Sequence, residues 1–285
     1  MVNSRVLFKD SNFDINSRIN DLMSRMTLDE KFKLMAGHRI FQTHSIKRLG
    51  IKPLKMTDGP LGISQLSSFF RKNTLFPGGI NLAATWNKDL IEEYGKMIAS
   101  EAKAISRMCL LAPGMNIIRT PLNGRNFEYF SEDPYLTKEI AIKFVIGVQS
   151  IGVAACIKHF VANNQETNRF TISAEIDERT YNEIYLRPFR QTIEEADPWT
   201  LMTSYNRVNG KYLFENIETL RNKVIDTWGF KGMIMTDWNA TSQGKRRLKT
   251  PPEISTEDCI KSGLSLEMPS SYVYNLKRLK EAYQA

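Results

Sequence analysis

Six short apolar runs in this chain each end on residues able to do chemistry. These are Asp58, the loop carrying Arg119 and Arg125, the pair Lys158 and His159, Tyr205 with Asn206, Asp237 with Trp238, and Glu267. A buried run ending on a carboxylate is costly unless the carboxylate has partners, which makes residues 231–240 (KGMIMTDWNA) the most pointed of these stretches. Each also has a plain reading. Asp237 can cap a following helix, Lys158 can be a solvated strand end, a single histidine is usually structural, and Tyr205 can be core with its hydroxyl satisfied. Gathered in one pocket, the set suits a polyol. Carboxylates and guanidinium groups offer planar two-pronged partners to adjacent hydroxyls, and Trp238 offers a face to the C–H surface of a sugar. A metal centre fits less well: the histidines are His38, His44 and His159, and none stands in HxxxH spacing. A serine hydrolase is disfavoured by the lack of GxSxG.

A parallel sheet would gather these groups. Apolar patterning predicts strands at 54–58, 80–85, 108–112, 153–157, 170–174, 200–204, 233–235 and 264–268. Helical spacing predicts helices at 19–35, 87–98, 136–149, 178–196, 217–228, 255–262 and 274–283, with Thr27 and Glu30 in capping-box spacing. Strands alternating with helices imply right-handed parallel crossovers. About eight strands favour a single α/β domain, a (β/α)8 TIM-type barrel over residues 19–285, preceded by an N-terminal arm at 1–18. The strand ends of such a barrel share one mouth. The competing architecture is an open doubly wound sheet, against which no glycine-rich phosphate loop or GxGxxG occurs.

Composition narrows the function classes. The chain has 285 residues, 42% of them hydrophobic, enough for one sizeable core. The formal charge is +8, but the basic residues are scattered and the densest cluster, Lys245, Arg246 and Arg247, is short. This describes a solvated basic surface rather than a nucleic-acid footprint. The cysteines Cys109, Cys156 and Cys259 have no metal-type or paired spacing, which points to free thiols and a reducing, cytoplasmic compartment. No signal peptide or membrane span is expected.

Several long motifs then stand in order: KMTDGPLGI (55–63), LAATWN (82–87), LAPGMNIIRTPLNGRNFEYFSEDP (111–134), AACIKHFVANNQETNRF (154–170), MTSYNRVNG (202–210), WGFKGMIMTDWNA (228–240) and LSLEMPSS (264–271). Together they strongly resemble glycoside hydrolase family 3, the β-glucosidase group, across about residues 19–274. The resemblance implies the N-terminal (β/α)8-type barrel of that family and a retaining β-glycosidase acting on terminal β-D-glucosyl residues, with no cofactor or metal. It implies that Asp237 is the nucleophile and that Asp58, Arg125, Lys158, His159, Tyr205 and Trp238 bind sugar. Arg169 and Glu178 fall in matching motifs as sugar contacts or loop supports. Lys158, His159 and Arg125 would lower the pKa of Asp237 and keep it charged.

The resemblance also has departures. A retaining glycosidase needs an acid/base carboxyl about 5 Å from its nucleophile, and in β-glucosidases of this family it comes from a second α/β sandwich domain. The sequence ends at Ala285 without one, and residues 161–177 hold no histidine for the alternative Asp-His pair of another branch. Glu178 and Glu267 are the candidates to substitute. The expected partners are a β-glucoside or related small carbohydrate, with a separate sandwich-domain polypeptide or a second copy of the chain. The competing reading is a sugar-binding barrel impaired in turnover. Ser64 stands where the family commonly has arginine, and Ser106 where it commonly has glycine.

Overall fold

The fold is described from a computed structural model over residues 6–64, 72–243 and 254–284. The basic cluster at 245–247 lies outside the described residues, as does most of the loop after Ser64. The first long helix, α1 (Ile15–Arg25), begins inside the stretch read as an arm, because Asp14 caps it by accepting from the Ser17 amide. The capping box of Thr27 and Glu30 forms and opens α2 (Leu28–Leu34).

Among the described residues five strands make a parallel sheet in the order β1 (Met56–Asp58), β2 (Cys109–Leu111), β3 (Ala154–Phe160), β5 (Thr200–Thr203) and β8 (Met233–Thr236). The sheet closes into a ring through shorter contacts. Met235 bridges Leu266 and Ala36 bridges Glu267, both parallel. Gly37 then bridges Thr43 and Gln42 bridges Lys55, both antiparallel, which returns the ring to β1. The parallel barrel therefore stands, but its membership differs from the sequence reading in three places. Residues 80–85 are not a strand: Gly79–Ala84 is the helix α3, whose Leu82 and Ala83 face the core. Short apolar runs do not distinguish a buried helix face from a strand. The 170–174 run contributes only β4 (Ser173–Ala174), which belongs to a separate small sheet with β6 (Arg207–Val208) and β7 (Lys211–Tyr212). Residues 264–268 join the ring through single bridges rather than as a regular strand. The vacant positions are filled by residues near 36–37 and 42–43, which carry no strand-like alternation.

The period of two along each strand divides the core. Met56, Cys109, Leu111, Cys156, Met202, Met235 and Leu266 point into the barrel and form one buried cluster. Leu110, Ala155, Ile157, Leu201 and Ile234 point outward and pack under the helices. The outer layer includes α4 (Lys88–Ala104) and α5 (Pro134–Ser150), which touch closely at Gly147. A Cβ at Gly147 would lie 2.2 Å from the Glu92 carbonyl oxygen, so this crossing admits no side chain. The same period carries up to the site: Asp58 closes β1, Lys158 lies near the end of β3 and Asp237 follows β8, each two residues beyond Met56, Cys156 and Met235 and so facing the interior above the apolar cluster.

Candidate active site

Above the apolar cluster, at the C-terminal ends of the parallel strands, lies a cavity of about 240 Å³. Asp58, Arg125, Lys158, His159, Arg169, Tyr205, Asp237 and Trp238 all line it. Asp237 forms its buried floor, 7% exposed. It caps no helix. The next helical turn, Ala240–Ser242, starts from Asn239, while the Asp237 carboxylate accepts the Tyr205 hydroxyl at 2.8 Å through Oδ1. That leaves Oδ2 toward the cavity, 3.6 Å from His159 Nε2.

The cations are held from behind by carboxylates. Lys158 Nζ donates to Asp58 Oδ1 at 2.9 Å and lies 3.9 Å from Glu128 Oε2. Arg125 donates through Nε to Glu128 Oε1, and its Nη2 lies 2.8 Å from His159 Nε2. The backbone at His159 is clamped by Asn116, which accepts the His159 amide and donates to its carbonyl, both at 2.8 Å. Arg169 pairs with Glu166 at 2.6 Å and lies over the Tyr205 ring, 4.5 Å from its centroid. On the opposite wall, the Trp238 indole donates to the Ile40 carbonyl at 3.0 Å, and its ring lies 5.6 Å from that of Phe41.

These contacts set the charges. Burial raises the Asp237 carboxyl to about 6, against the opposing pull of Arg125, Lys158 and the Tyr205 hydrogen bond. This corrects the expectation that neighbouring cations dominate at Asp237. Burial and the adjacent Arg125 and Lys158 charges also hold His159 well below the ordinary histidine range, so it is neutral and adds no positive charge. At neutral pH Asp237 is still about nine-tenths ionised. Burial also raises the Asp58 carboxyl, but the Lys158 charge and hydrogen bond outweigh it and leave its pKa lowered. Burial lowers Lys158, and Asp58 with Glu128 outweigh that in turn, leaving its pKa raised. Asp58 and Lys158 are thus a fixed ion pair, and Asp237 is the carboxyl poised near neutrality.

The profile of the glycosyl hydrolase family 3 N terminal domain matches residues 20–285. The chain belongs to glycosyl hydrolase family 3. It is 43% identical over 256 residues to a β-glucosidase of Rhizobium radiobacter, covering 89% of this chain and 30% of the relative. It is 40% identical over 275 residues to thermostable β-glucosidase B of Acetivibrio thermocellus, covering 94% of this chain and 35% of that one. An exo-α-(1→6)-L-arabinopyranosidase of Bifidobacterium longum is also 40% identical, over 87% of this chain and 32% of its own length. Among solved structures, β-glucosidase 3B of Thermotoga neapolitana in complex with α-D-glucose superposes with a TM-score of 0.82 at 38% identity, over 94% of this chain and 39% of that one. The β-glucosidase of Kluyveromyces marxianus in complex with glucose gives 0.85 at 36%, over 93% and 31%. The chain spans about a third of the length of the curated relatives it matches.

Within this family 3 domain, three residues singled out in the sequence lie away from the cavity. Glu178 is exposed at the start of a helix capped by Asp177. Arg119 is exposed, with its guanidinium 5.9 Å from the Tyr185 ring centroid. Glu267 is fully buried and faces its own chain. It accepts the amides of Tyr272, Val273 and Tyr274 at 2.7–3.0 Å and the Thr241 hydroxyl, so it ties down the turn after the last ring segment. Neither Glu178 nor Glu267 is placed to substitute as an acid over Asp237. The sequence reading also missed members of the site. Phe41 comes from a stretch without strand patterning. Glu128, the carboxylate that balances Arg125 and Lys158, stands three residues after Arg125, and that spacing was the available signal.

Two further observations concern the departures. Ser64 closes the turn after β1, its amide donating to the Asp58 carbonyl at 2.9 Å. Ser106 has φ 57°, in the left-handed region that favours glycine, which is a physical reason for glycine there. The cysteines are free and buried. Among the described residues no group of three His, Cys, Asp or Glu is arranged to hold a metal, and no helix is long and apolar enough to cross a membrane.

Proposed function

We propose that this domain binds the terminal sugar of a glycoside in the cavity over Asp237 and that Asp237 is the nucleophile of a retaining β-glycosidase of β-glucosidase type. The observation that carries the proposal is the convergence of an Asp237 carboxylate oxygen, an Asp58–Lys158 pair, Arg125 and Trp238 on one cup at the strand ends. With Oδ1 held by Tyr205, Oδ2 is the oxygen free to attack the anomeric carbon and form a glycosyl-aspartate. Asp58, Lys158 and Arg125 are fixed before substrate arrives, so they orient the ring hydroxyls at little entropic cost. Trp238 and Phe41 present apolar faces to the C–H side of the ring.

The same geometry limits what the described residues do alone. The carboxylates lining the cavity among them are Asp58 and Asp237. Asp58 is held ionised by Lys158 and is a poor proton donor. We therefore assign the acid/base to a group outside these residues, contributed by a further domain or partner chain. On its own, this domain should react with glycosides whose leaving groups need no protonation. The relatives are named for glucosides and an arabinopyranoside, and glucose is the favoured sugar because both glucose complexes align over most of the chain.

The deciding experiment incubates the protein with 2,4-dinitrophenyl 2-deoxy-2-fluoro-glucoside and weighs it. The expected result is one added fluoroglucosyl group on the peptide carrying Asp237. Folded protein that gains no mass would refute the nucleophile assignment. A second reading, a barrel that holds sugar without turnover, is favoured by the lack, among the described residues, of a protonated carboxyl in the cup. Azide or formate rescue of activated-glycoside turnover supports the enzyme; glucose binding without any rescue supports the binding module.

A further inference from the structure

His159 is buried in the cup wall, and its surroundings fix both its charge and its tautomer. Guanidinium groups only donate hydrogen bonds, so Arg125 Nη2, 2.8 Å from Nε2, faces a ring lone pair. The ring proton then resides on Nδ1, which lies 3.2 Å from the Tyr129 hydroxyl oxygen. That oxygen must accept. Asn163 Nδ2 reaches the same oxygen at 3.3 Å, which further commits Tyr129 to accepting on this side. Tyr129 is fully buried, meets the imidazole edge to face at 6.1 Å, and does not line the cavity. Its direct hydrogen bond to a side chain that lines the cavity is the one to His159.

We propose that Tyr129 is a positioning residue: by accepting the hydrogen bond from Nδ1–H it keeps the single Nε2 lone pair of His159 on Arg125 Nη2, so that the guanidinium is held in one place in the cup to meet the substrate's hydroxyls. The proposal rests on the reading of the cup as a sugar site. A phenylalanine at 129 would leave the Nδ1 proton buried without a partner. The ring would then turn over or change tautomer, and Arg125 would lose the acceptor that fixes its Nη2 in the cup.

The test is nitrogen NMR of the protein carrying 15N-labelled histidine at neutral pH. With only His38, His44 and His159 in the chain, H38N and H44N assign the remaining signals without touching the cup. In the wild-type protein His159 should show a protonated Nδ1 and an unprotonated Nε2. In Tyr129→Phe that pattern should become mixed or exchange-broadened, and labelling by the fluoroglucoside should slow about ten-fold, the loss expected of one hydrogen bond, with the circular dichroism unchanged. A protonated Nε2 in the wild type, or a Tyr129→Phe spectrum identical to it, would overturn the proposal. Should the variant not fold, the Nδ1 proton of the wild type decides: slow exchange with solvent, as a hydrogen-bonded proton shows, supports the bond to Tyr129, and fast exchange overturns it. Absence of labelling in the wild type would refute the glycosidase reading and leave the histidine spectrum to judge Tyr129.

Discussion

Tyr205, just past the end of β5, gives its hydroxyl proton to Asp237, just past the end of the neighbouring β8, across 2.8 Å. The two strands are paired in register up to Thr203 and Thr236, so the sheet itself sets this separation. The bond assigns different tasks to the two carboxylate oxygens and opposes the burial that pushes Asp237 up to about 6.

Removing that bond gives the first expectation. Tyr205→Phe takes away one of the influences lowering the Asp237 pKa, so the acidic limb of the labelling rate should move to higher pH. The maximal rate should fall ten- to a hundred-fold, roughly the range for a charge-assisted hydrogen bond. A pH–rate profile with the fluoroglucoside reads both effects. An unshifted limb would show that Tyr205 does not set the ionisation of Asp237.

Asp237→Asn isolates the cost of the buried charge. The folded pKa is raised from 3.8 to about 6, so the stability contributed by protonated Asp237 is fully present below 3.8 and is lost as the pH rises through about 6. An amide escapes that loss and can still accept from Tyr205. The variant should therefore be more stable than wild type at pH 8 by about 3 kcal/mol and nearly equal to it near pH 3.5. Urea melts at the two pH values check the sign, and a variant less stable at pH 8 would contradict it.

Glu128 lies outside the cavity yet balances two of its cations. It is 3% exposed, bonded to Arg125 and near Lys158. Glu128→Gln leaves those cations with less compensation and should cost about 3 kcal/mol of stability, as removal of one partner of a buried pair does. The freed positive charge should also lower the Asp237 pKa, moving the acidic limb opposite to the Tyr205→Phe shift. A stability loss without that opposite movement would confine Glu128 to a structural role.

The positions of Asp58, Lys158 and Asp237 were legible because each follows a short apolar run by the inward period of the strand. The motifs shared with family 3 added Arg125, which sits on an irregular loop and has no periodic signal of its own. The charge state of His159 was not legible, because it depends on burial and on the Arg125 and Lys158 charges acting together across separate segments. Nor was the ring closure near residues 36–43, where single bridges replace strands and leave no alternation to read. Glu267 misled for a related reason: a carboxylate at a strand end reads as functional, while its partners, the amides of residues 272–274, are backbone groups that no side-chain pattern reveals.

Glu267 and Glu178 should therefore separate cleanly. Glu267→Gln turns an amide NH2 toward backbone N–H donors and should cost about 2–4 kcal/mol, seen as a lower urea midpoint. Glu178→Gln, on an exposed helix start, should change neither stability nor labelling. A loss of labelling in Glu178→Gln with stability intact would restore it as a site residue.

Ser106 offers a check on backbone geometry alone. Its φ of 57° is a conformation that costs an L-residue about 1 kcal/mol and costs glycine little. It stands just after α4 and before β2, remote from the cup in the chain's order of strand ends. Part of the relief in Ser106→Gly is offset by the greater freedom glycine gives the unfolded chain. The net effect should be a stabilisation of about 0.5 kcal/mol with the labelling rate unchanged. A destabilised variant would mean that the serine side chain holds this turn more strongly than its backbone conformation opposes it.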